Sequence, residues 1–181
     1  KYSICSLVTF VDDFLAKLNM KVTTGLVNDV TIARVSQLTM KTNQFNLTTR
    51  RYTENDIKVF MENETNDVYS FELIDKFGNY GVTGVCIAGL KEQISLIDTL
   101  LLSCRVLGRD AEWQFTDYVI KELSLRGAQK VKSVFSPTLK NNQVESFWEK
   151  MGFLLMNDGI DGIKHYSLIT NEYMSKKVEF I

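Results

Sequence analysis

Leu101-Leu-Ser-Cys-Arg-Val-Leu-Gly-Arg-Asp110 joins an apolar run to a helical one and sets a cysteine, two arginines and a glycine at the junction. Upstream, Ile94 to Cys104 is rich in branched apolar residues, the composition of a mostly buried strand. Downstream, Ala111, Phe115, Tyr118, Val119 and Leu123 recur at helical spacing, which predicts a helix over Ala111 to Leu125 ended by Gly127 in the left-handed conformation. The turn Arg105-Val106-Leu107-Gly108-Arg109 therefore precedes a helix N-terminus, where unpaired amides and the positive end of the helix dipole favour anions. Gly108 lets the backbone approach a phosphate closely.

Outward from this junction, Val68 to Ile74 alternates as a strand, Gly78-Asn-Tyr-Gly81 supplies a turn, and Val82 to Leu90 returns as its hairpin partner. Lys130 to Ser136 and His165 to Ile169 are further expected strands. Short helices are expected over Asp13 to Leu18 and Ile32 to Leu38, and Thr53-Glu-Asn-Asp56 fits a capping box before Ile57, Phe60 and Met61. Hairpin strands followed by strand, helix, strand, helix and strand describe an α/β (α+β) domain, a mixed sheet flanked by helices.

The 181 residues suit one domain, and with a single proline, Pro137, and no Gly/Ser-rich or single-sign run, no linker stands out. A formal charge of -1 gives no basic footprint for nucleic acid. The apolar run Ile4 to Val11 is too short to span a bilayer, and Asp12-Asp13 ends it. Three cysteines without paired spacing, Cys5, Cys86 and Cys104, argue against a disulfide framework and for a reducing, cytoplasmic setting. His165 is the sole histidine and there is no Cys-x-x-Cys pair, so no metal site is expected.

Arg105-x-x-Gly108 before a long helix resembles the pyrophosphate-binding turn of the GNAT acyltransferase fold, and Asn142 to Phe153 resembles its later helix-turn motif. A narrower resemblance runs through Thr42 to Arg51, Asp75 to Gly81, Leu102 to Arg109 and Ser136 to Asn142. In this order these segments are similar to the C-terminal half of FkbH-like proteins. That resemblance implies a GNAT-like domain over residues 1–181, with residues 1–30 as linker or first elements following an N-terminal haloacid-dehalogenase-type phosphatase domain. The chain has no Asp-x-Asp-x-Thr/Val segment of the phosphatase kind and does not begin with methionine, so it reads as an excised C-terminal domain. The implied chemistry moves a glyceryl or related acyl group from an acyl phosphate, through a cysteine thioester, to the phosphopantetheine thiol of an acyl carrier protein. Nothing is expected to be bound covalently as a cofactor. Phosphopantetheine or coenzyme A enters as a partner. Coenzyme A-dependent N- or O-acyl transfer and a non-catalytic carrier-docking module are the alternatives.

Cys104 reads either as the acyl-carrying nucleophile, beside guanidinium charge and a helix N-terminus, or as a small buried hydrophobe at a strand end. Arg105, Val106, Leu107, Gly108, Arg109 and Asn142 are the expected phosphate or pantetheine contacts, the arginines otherwise being ordinary helix-entry charges. Asn43, Gln44, Asn46 and Arg50 are the expected substrate contacts, the alternative being a polar loop with capping asparagines. Asp110 and Trp148 depart from the GNAT pattern, which has a small residue at the first position and often an acidic tyrosine at the second. Glu112 and His165 are the remaining bases to consider.

Overall fold

The computed structural model describes residues 15–159 and 161–176, so Cys5 and the Ile4 to Val11 run lie outside the described residues. An eight-stranded sheet lies between helical layers. The strands are β1 (Lys21–Leu26), β2 (Phe45–Asn46), β3 (Asn66–Asp75), β4 (Gly78–Lys91), β5 (Ile94–Leu102), β6 (Lys130–Phe135), β7 (Leu154–Asp158) and β8 (Lys164–Ile169). The helices are α1 (Ile32–Lys41), α2 (Glu54–Glu62), α3 (Ala111–Leu125) and α4 (Phe147–Lys150). The order across the sheet is β1-β3-β4-β5-β6-β8-β7, with β2 on the edge of β5. Only the β5/β6 pairing within that order is parallel.

Each sheet face buries its own core. Ile32, Val35 and Leu38 on α1 and Ile57 on α2 cover Val68, Val82, Val85, Ile87 and Leu101. On the other face, Phe115, Val119 and Leu123 of α3 cover Phe71, Cys86, Leu100 and Leu102. Gly84 is required there, since a Cβ would stand 3.0 Å from the Phe71 Cβ and 3.2 Å from the Phe115 ring. Leu15, Leu18 and Met20 join this second core and β1 pairs with β3, so the described residues before 30 are integral to the domain.

The helix expected over Ala111 to Leu125 is present with those bounds, and Thr53 and Asp56 form the expected capping box. The expected turn at Gly78 to Gly81 is displaced. Asp75 pairs with Gly78, so the connection is Lys76-Phe77, and Asp75 Oδ1 accepts from the Phe77 amide at 2.8 Å. That local bond lets pairing run four residues further than glycine spacing suggested.

Of the three register shifts in the middle strands, two bear on the site. Phe71 faces Gly84 while Glu72 faces Val82, leaving Thr83 as the extra residue of β4. Ile87 faces Thr99 while Ala88 faces Ile97, leaving Asp98 as the extra residue of β5. An unpaired bulge residue frees backbone groups for other partners. The Thr83 carbonyl accepts from Ser103 N at 2.7 Å, and the Asp98 carbonyl accepts from Thr48 Oγ1 at 3.0 Å.

β5 and β6 pair at only three positions, Ile94 to Leu96 against Lys130 to Lys132. Beyond them the edge of β5 is taken by the chain's own residues 45–48. Phe45 and Asn46 pair with Leu102 and Leu101, and Leu47 N donates to Leu100 O at 3.1 Å. Leu47 O accepts from Ser136 N at 2.8 Å, linking the insert to the end of β6. Buried Asn141 completes the link. Its Nδ2 donates to Asn46 O (2.9 Å) and Ser136 O (3.0 Å), and its Oδ1 accepts from Thr138 N (2.7 Å).

Asn141→Ala should therefore lower unfolding free energy by about 2–3 kcal/mol, because the substitution strands buried backbone groups. Asn142→Ala, one exposed position on, should stay within about 0.5 kcal/mol. Equal losses in denaturant titrations of the two variants would contradict the linking role of Asn141.

Candidate functional site

At the C-terminal end of β5 the chain turns into a short 3₁₀ segment, Cys104–Val106, whose N-cap Ser103 accepts from Arg105 N through Oγ. The strand expected to run to Cys104 stops at Leu102, and the 3₁₀ turn puts Cys104 on the surface while Val106 is fully buried. Cys86 is buried in β4, and burial pushes its thiol pKa well up.

Cys104 opens into a cavity of about 770 Å³, within the range of small-molecule sites. One wall is a stripe of α1, where Arg34, Gln37 and Lys41 fall at i, i+3 and i+7. The other walls are Thr42 to Gln44, Ser103 to Arg105, and Leu139-Lys140. Four of the lining residues are cationic and none is acidic. Arg34 Nε donates to the Val82 carbonyl at 3.2 Å, and Nη1 donates to Gln37 Oε1. Burial and the neighbouring Arg105 charge both lower the Arg34 pKa, the signature of two cations sharing a partly desolvated space.

The cavity thus brings together Cys104, Arg105, Asn43 and Gln44 of the expected residues. The others lie elsewhere. Arg109 is 19% exposed and engaged, its Nε and Nη2 3.2 Å from Asp75 Oδ2, its Nη1 on Arg105 O at 2.6 Å, and its guanidinium over the Tyr80 ring. Asn46 is fully buried, with Oδ1 accepting from Thr49 N (2.8 Å) and Nδ2 donating to Thr42 O (3.1 Å). Arg50 pairs with the Asp98 carboxylate, which also accepts from Tyr52 and Thr99. Asn142 is exposed and opens the 3₁₀ segment Asn142–Val144. Gly108 (φ 77°) and Asp110 (φ 59°) both adopt left-handed conformations before α3. Asn43 is engaged at both ends of its amide, Oδ1 accepting from Arg51 and Nδ2 donating to Lys41 O at 3.5 Å.

Sequence reasoning missed Arg34, Lys41 and Lys140. The α1 pattern held the signal, because an apolar stripe at Ile32, Val35 and Leu38 leaves Arg34, Gln37 and Lys41 together on an adjoining stripe.

A second, smaller cavity of about 230 Å³ lies beyond Phe45, lined by Leu107, Glu112, Trp113 and Phe147 among others. Trp113 and Phe147 stack with centroids 5.0 Å apart. Glu112 Oε2 is buried without a hydrogen-bond partner among the described residues. Burial raises the Glu112 pKa, its own backbone N–H opposes that, and Asp110 adds to the rise. Trp148, where GNAT proteins often carry a tyrosine, is 1% exposed and donates through Nε1 to Val134 O at 3.2 Å.

No family model matches this chain, and no curated protein does. Solved structures do. The ribosomal-protein-S18-alanine N-acetyltransferase from Escherichia coli aligns with TM-score 0.62 at 12% identity, over 89% of this chain and 99% of that one. An acetyltransferase of the GNAT family from Staphylococcus aureus Mu50 aligns with TM-score 0.62 at 10% identity, over 83% and 99%. The fold is that of the GNAT acetyltransferases. Spermidine N-acetyltransferase from Vibrio cholerae, solved in complex with CoA and spermine, aligns with TM-score 0.62 at 10% identity, over 84% and 97%. At these identities the likeness is one of fold, and the narrower FkbH-like resemblance rests on sequence motifs alone.

Two measurements follow from the site. Cys104 should react with a thiol alkylator in the folded protein while Cys86 stays protected, because one is exposed and the other is buried with a raised pKa. Equal, slow labelling of both would remove Cys104 from solvent. For Glu112, a raised folded-state pKa means its contribution favours folding at low pH and is lost as pH rises through the carboxylate range. Glu112→Gln should therefore stabilise the protein at neutral pH, the gain vanishing near pH 4. A destabilised variant at every pH would show that the carboxylate is held favourably.

Proposed function

We propose that this domain is an acyltransferase whose chemistry runs at Cys104, carrying an acyl group as a cysteine thioester between an acyl phosphate and a carrier-bound thiol. In the first step the Cys104 thiolate, its proton already given up to solvent, attacks the acyl carbonyl, the C–S bond forms, and the C–O bond to phosphate breaks with its electron pair leaving on phosphate. In the second, the phosphopantetheine thiolate of a carrier protein attacks the thioester, and Cys104 leaves as thiolate. A thiolate leaving group needs little help from a general acid, which suits a cavity without a free carboxyl group or phenol in its lining. Gln44 and the second Nδ2 proton of Asn43, whose other proton points to Lys41 O, are amide donors for the oxyanion. The glyceryl identity of the acyl group, the acyl carrier protein and an upstream phosphatase domain come from the FkbH-like resemblance.

One observation carries this reading: an exposed cysteine opening into a cavity with four cations and no carboxylate. Cations placed around the reacting centre stabilise charge as it moves onto the carbonyl oxygen and the departing phosphate.

A second reading, coenzyme A-dependent transfer to an amine or hydroxyl, is favoured by the fold likeness to N-acetyltransferases, one of them solved with CoA. Against it stand Trp148, whose indole N–H is spent on a carbonyl, and Arg109, which is bound to Asp75 rather than open to a pyrophosphate.

Mass spectrometry of the protein incubated with an acyl phosphate should show one acyl adduct on Cys104, absent from Cys104→Ser. With a carrier-bound thiol as acceptor, initial rates should give parallel double-reciprocal lines. Acetyl transfer from coenzyme A at rates unchanged by Cys104→Ser would select the second reading.

A further inference from the structure

The chain has six arginines. Arg50, Arg109 and Arg126 are each paired with an aspartate, and Arg51 is bound to the carbonyls of Thr39 and Thr42. The remaining two, Arg34 and Arg105, face the Cys104 cavity together with Lys41 and Lys140. Among the described residues none of these four forms an ion pair.

Like charges gather in a partly desolvated space at a cost, and the protein has aspartates and glutamates enough to have neutralised them. The cavity also fixes its cations unequally. Arg34 is held to the sheet through the Val82 carbonyl and to α1 through Gln37, which orients its planar fork, whereas Lys41 and Lys140 reach in on flexible stems. Two of the five guanidinium N–H groups of Arg34 are accounted for by those bonds, and the rest are available to a ligand.

We propose that Arg34 and Lys41 of α1, with Arg105, form the subsite that selects substrates bearing a doubly charged phosphoryl group, in place of Arg109. A dianion matches the excess of positive charge better than a carboxylate, and its tetrahedral oxygens can take the Arg34 fork and a lysine at once. The proposal rests on the reading of the Cys104 cavity as the reaction site. It assigns specificity to a helix that lies outside the 105–110 turn and some seventy residues before it in sequence.

Inorganic phosphate is the probe for the dianion. At constant ionic strength held with chloride, phosphate should bind in a calorimetric titration and slow alkylation of Cys104, whereas acetate should do neither. Arg34→Gln and Lys41→Gln should each weaken phosphate binding by about tenfold or more, the worth of one charge-assisted contact. Arg109→Gln is the comparison that must leave it unchanged, provided that circular dichroism shows the variant folded. Should Arg34→Gln fail to fold through loss of the Val82 bond, Lys41→Gln alone decides. Comparing phosphate with a pantetheine phosphodiester, which carries the single charge that the arm has on its carrier, separates the sources: weaker binding of the diester places the dianion on the donor, and equal or tighter binding of the diester overturns selection of a dianion. Binding unaffected by both α1 substitutions, or protection by chloride alone, overturns the proposal. Cys104→Ser should still bind phosphate, so loss of the acyl adduct with phosphate binding intact would sink the thioester reading and leave this subsite standing.

Discussion

Four residues, 45–48, laid along the edge that β5 exposes when β6 turns away, are what the site depends on. Two parallel strands that part leave a row of inward backbone groups, and each one buried without a partner costs about 1–3 kcal/mol. Here Phe45, Asn46 and Leu47 take that row, and Asn141 fastens the insert to the end of β6. The insert and the three residues that lead into it also form walls. Thr42 to Gln44 line the cationic cavity and Phe45 lines the aromatic one, so a single short segment decides which groups meet Cys104 and which do not.

The two bulges explain how so irregular an arrangement is held still. Thr83 and Asp98 are extra residues in neighbouring strands, and each uses its freed carbonyl to capture a piece of the site, Ser103 in one case and Thr48 in the other. Asp98 does more, because its carboxylate also receives Arg50, Tyr52 and Thr99. Without its extra residue Asp98, β5 would turn its faces over on one side of the bulge and expose what is now core. The placement of Cys104 is thus a property of the sheet's register as much as of its own turn.

Local chemistry was legible in the sequence where it was self-contained. The periodicity of Ala111 to Leu125 and the Thr53/Asp56 capping box needed nothing from outside their own segments, and both are present as read. The Gly78 to Gly81 turn was misplaced because Asp75 supplies a tighter turn than the glycines do. β1 and β7 escaped notice since they are edge strands with mixed patterns, Lys21 to Leu26 and Leu154 to Asp158, stabilised by a single neighbour each. Cys104 and Arg105, read from their own neighbourhood, line the cavity together. Asn46, Arg50 and Arg109 were assigned outward roles that depend on free side chains, and all three have partners more than thirty residues away or inside a buried loop, which no spacing reveals. Arg34 and Lys41 were invisible for the converse reason: charges on a helix are ordinary until tertiary structure places other charges opposite them.

Arg109 shows why a free side chain cannot be assumed at a helix N-terminal turn. Asp75 has no exposed side-chain surface, and a buried carboxylate left alone would be costly, so the guanidinium that seemed free for a ligand is committed to the hairpin end. Asp110, left-handed and acidic at the cap of α3, adds a negative charge at the very place where a second anion would have to sit. With Arg109 spent on holding the β3/β4 hairpin, the positive charge left beside Cys104 is that of Arg105, Lys140 and the α1 residues Arg34 and Lys41. On the thioester reading this division has a mechanistic use. The residues that fix the fold carry paired charges that no ligand disturbs, and those that meet the ligand carry unpaired ones whose electrostatic strain is relieved when an anion arrives.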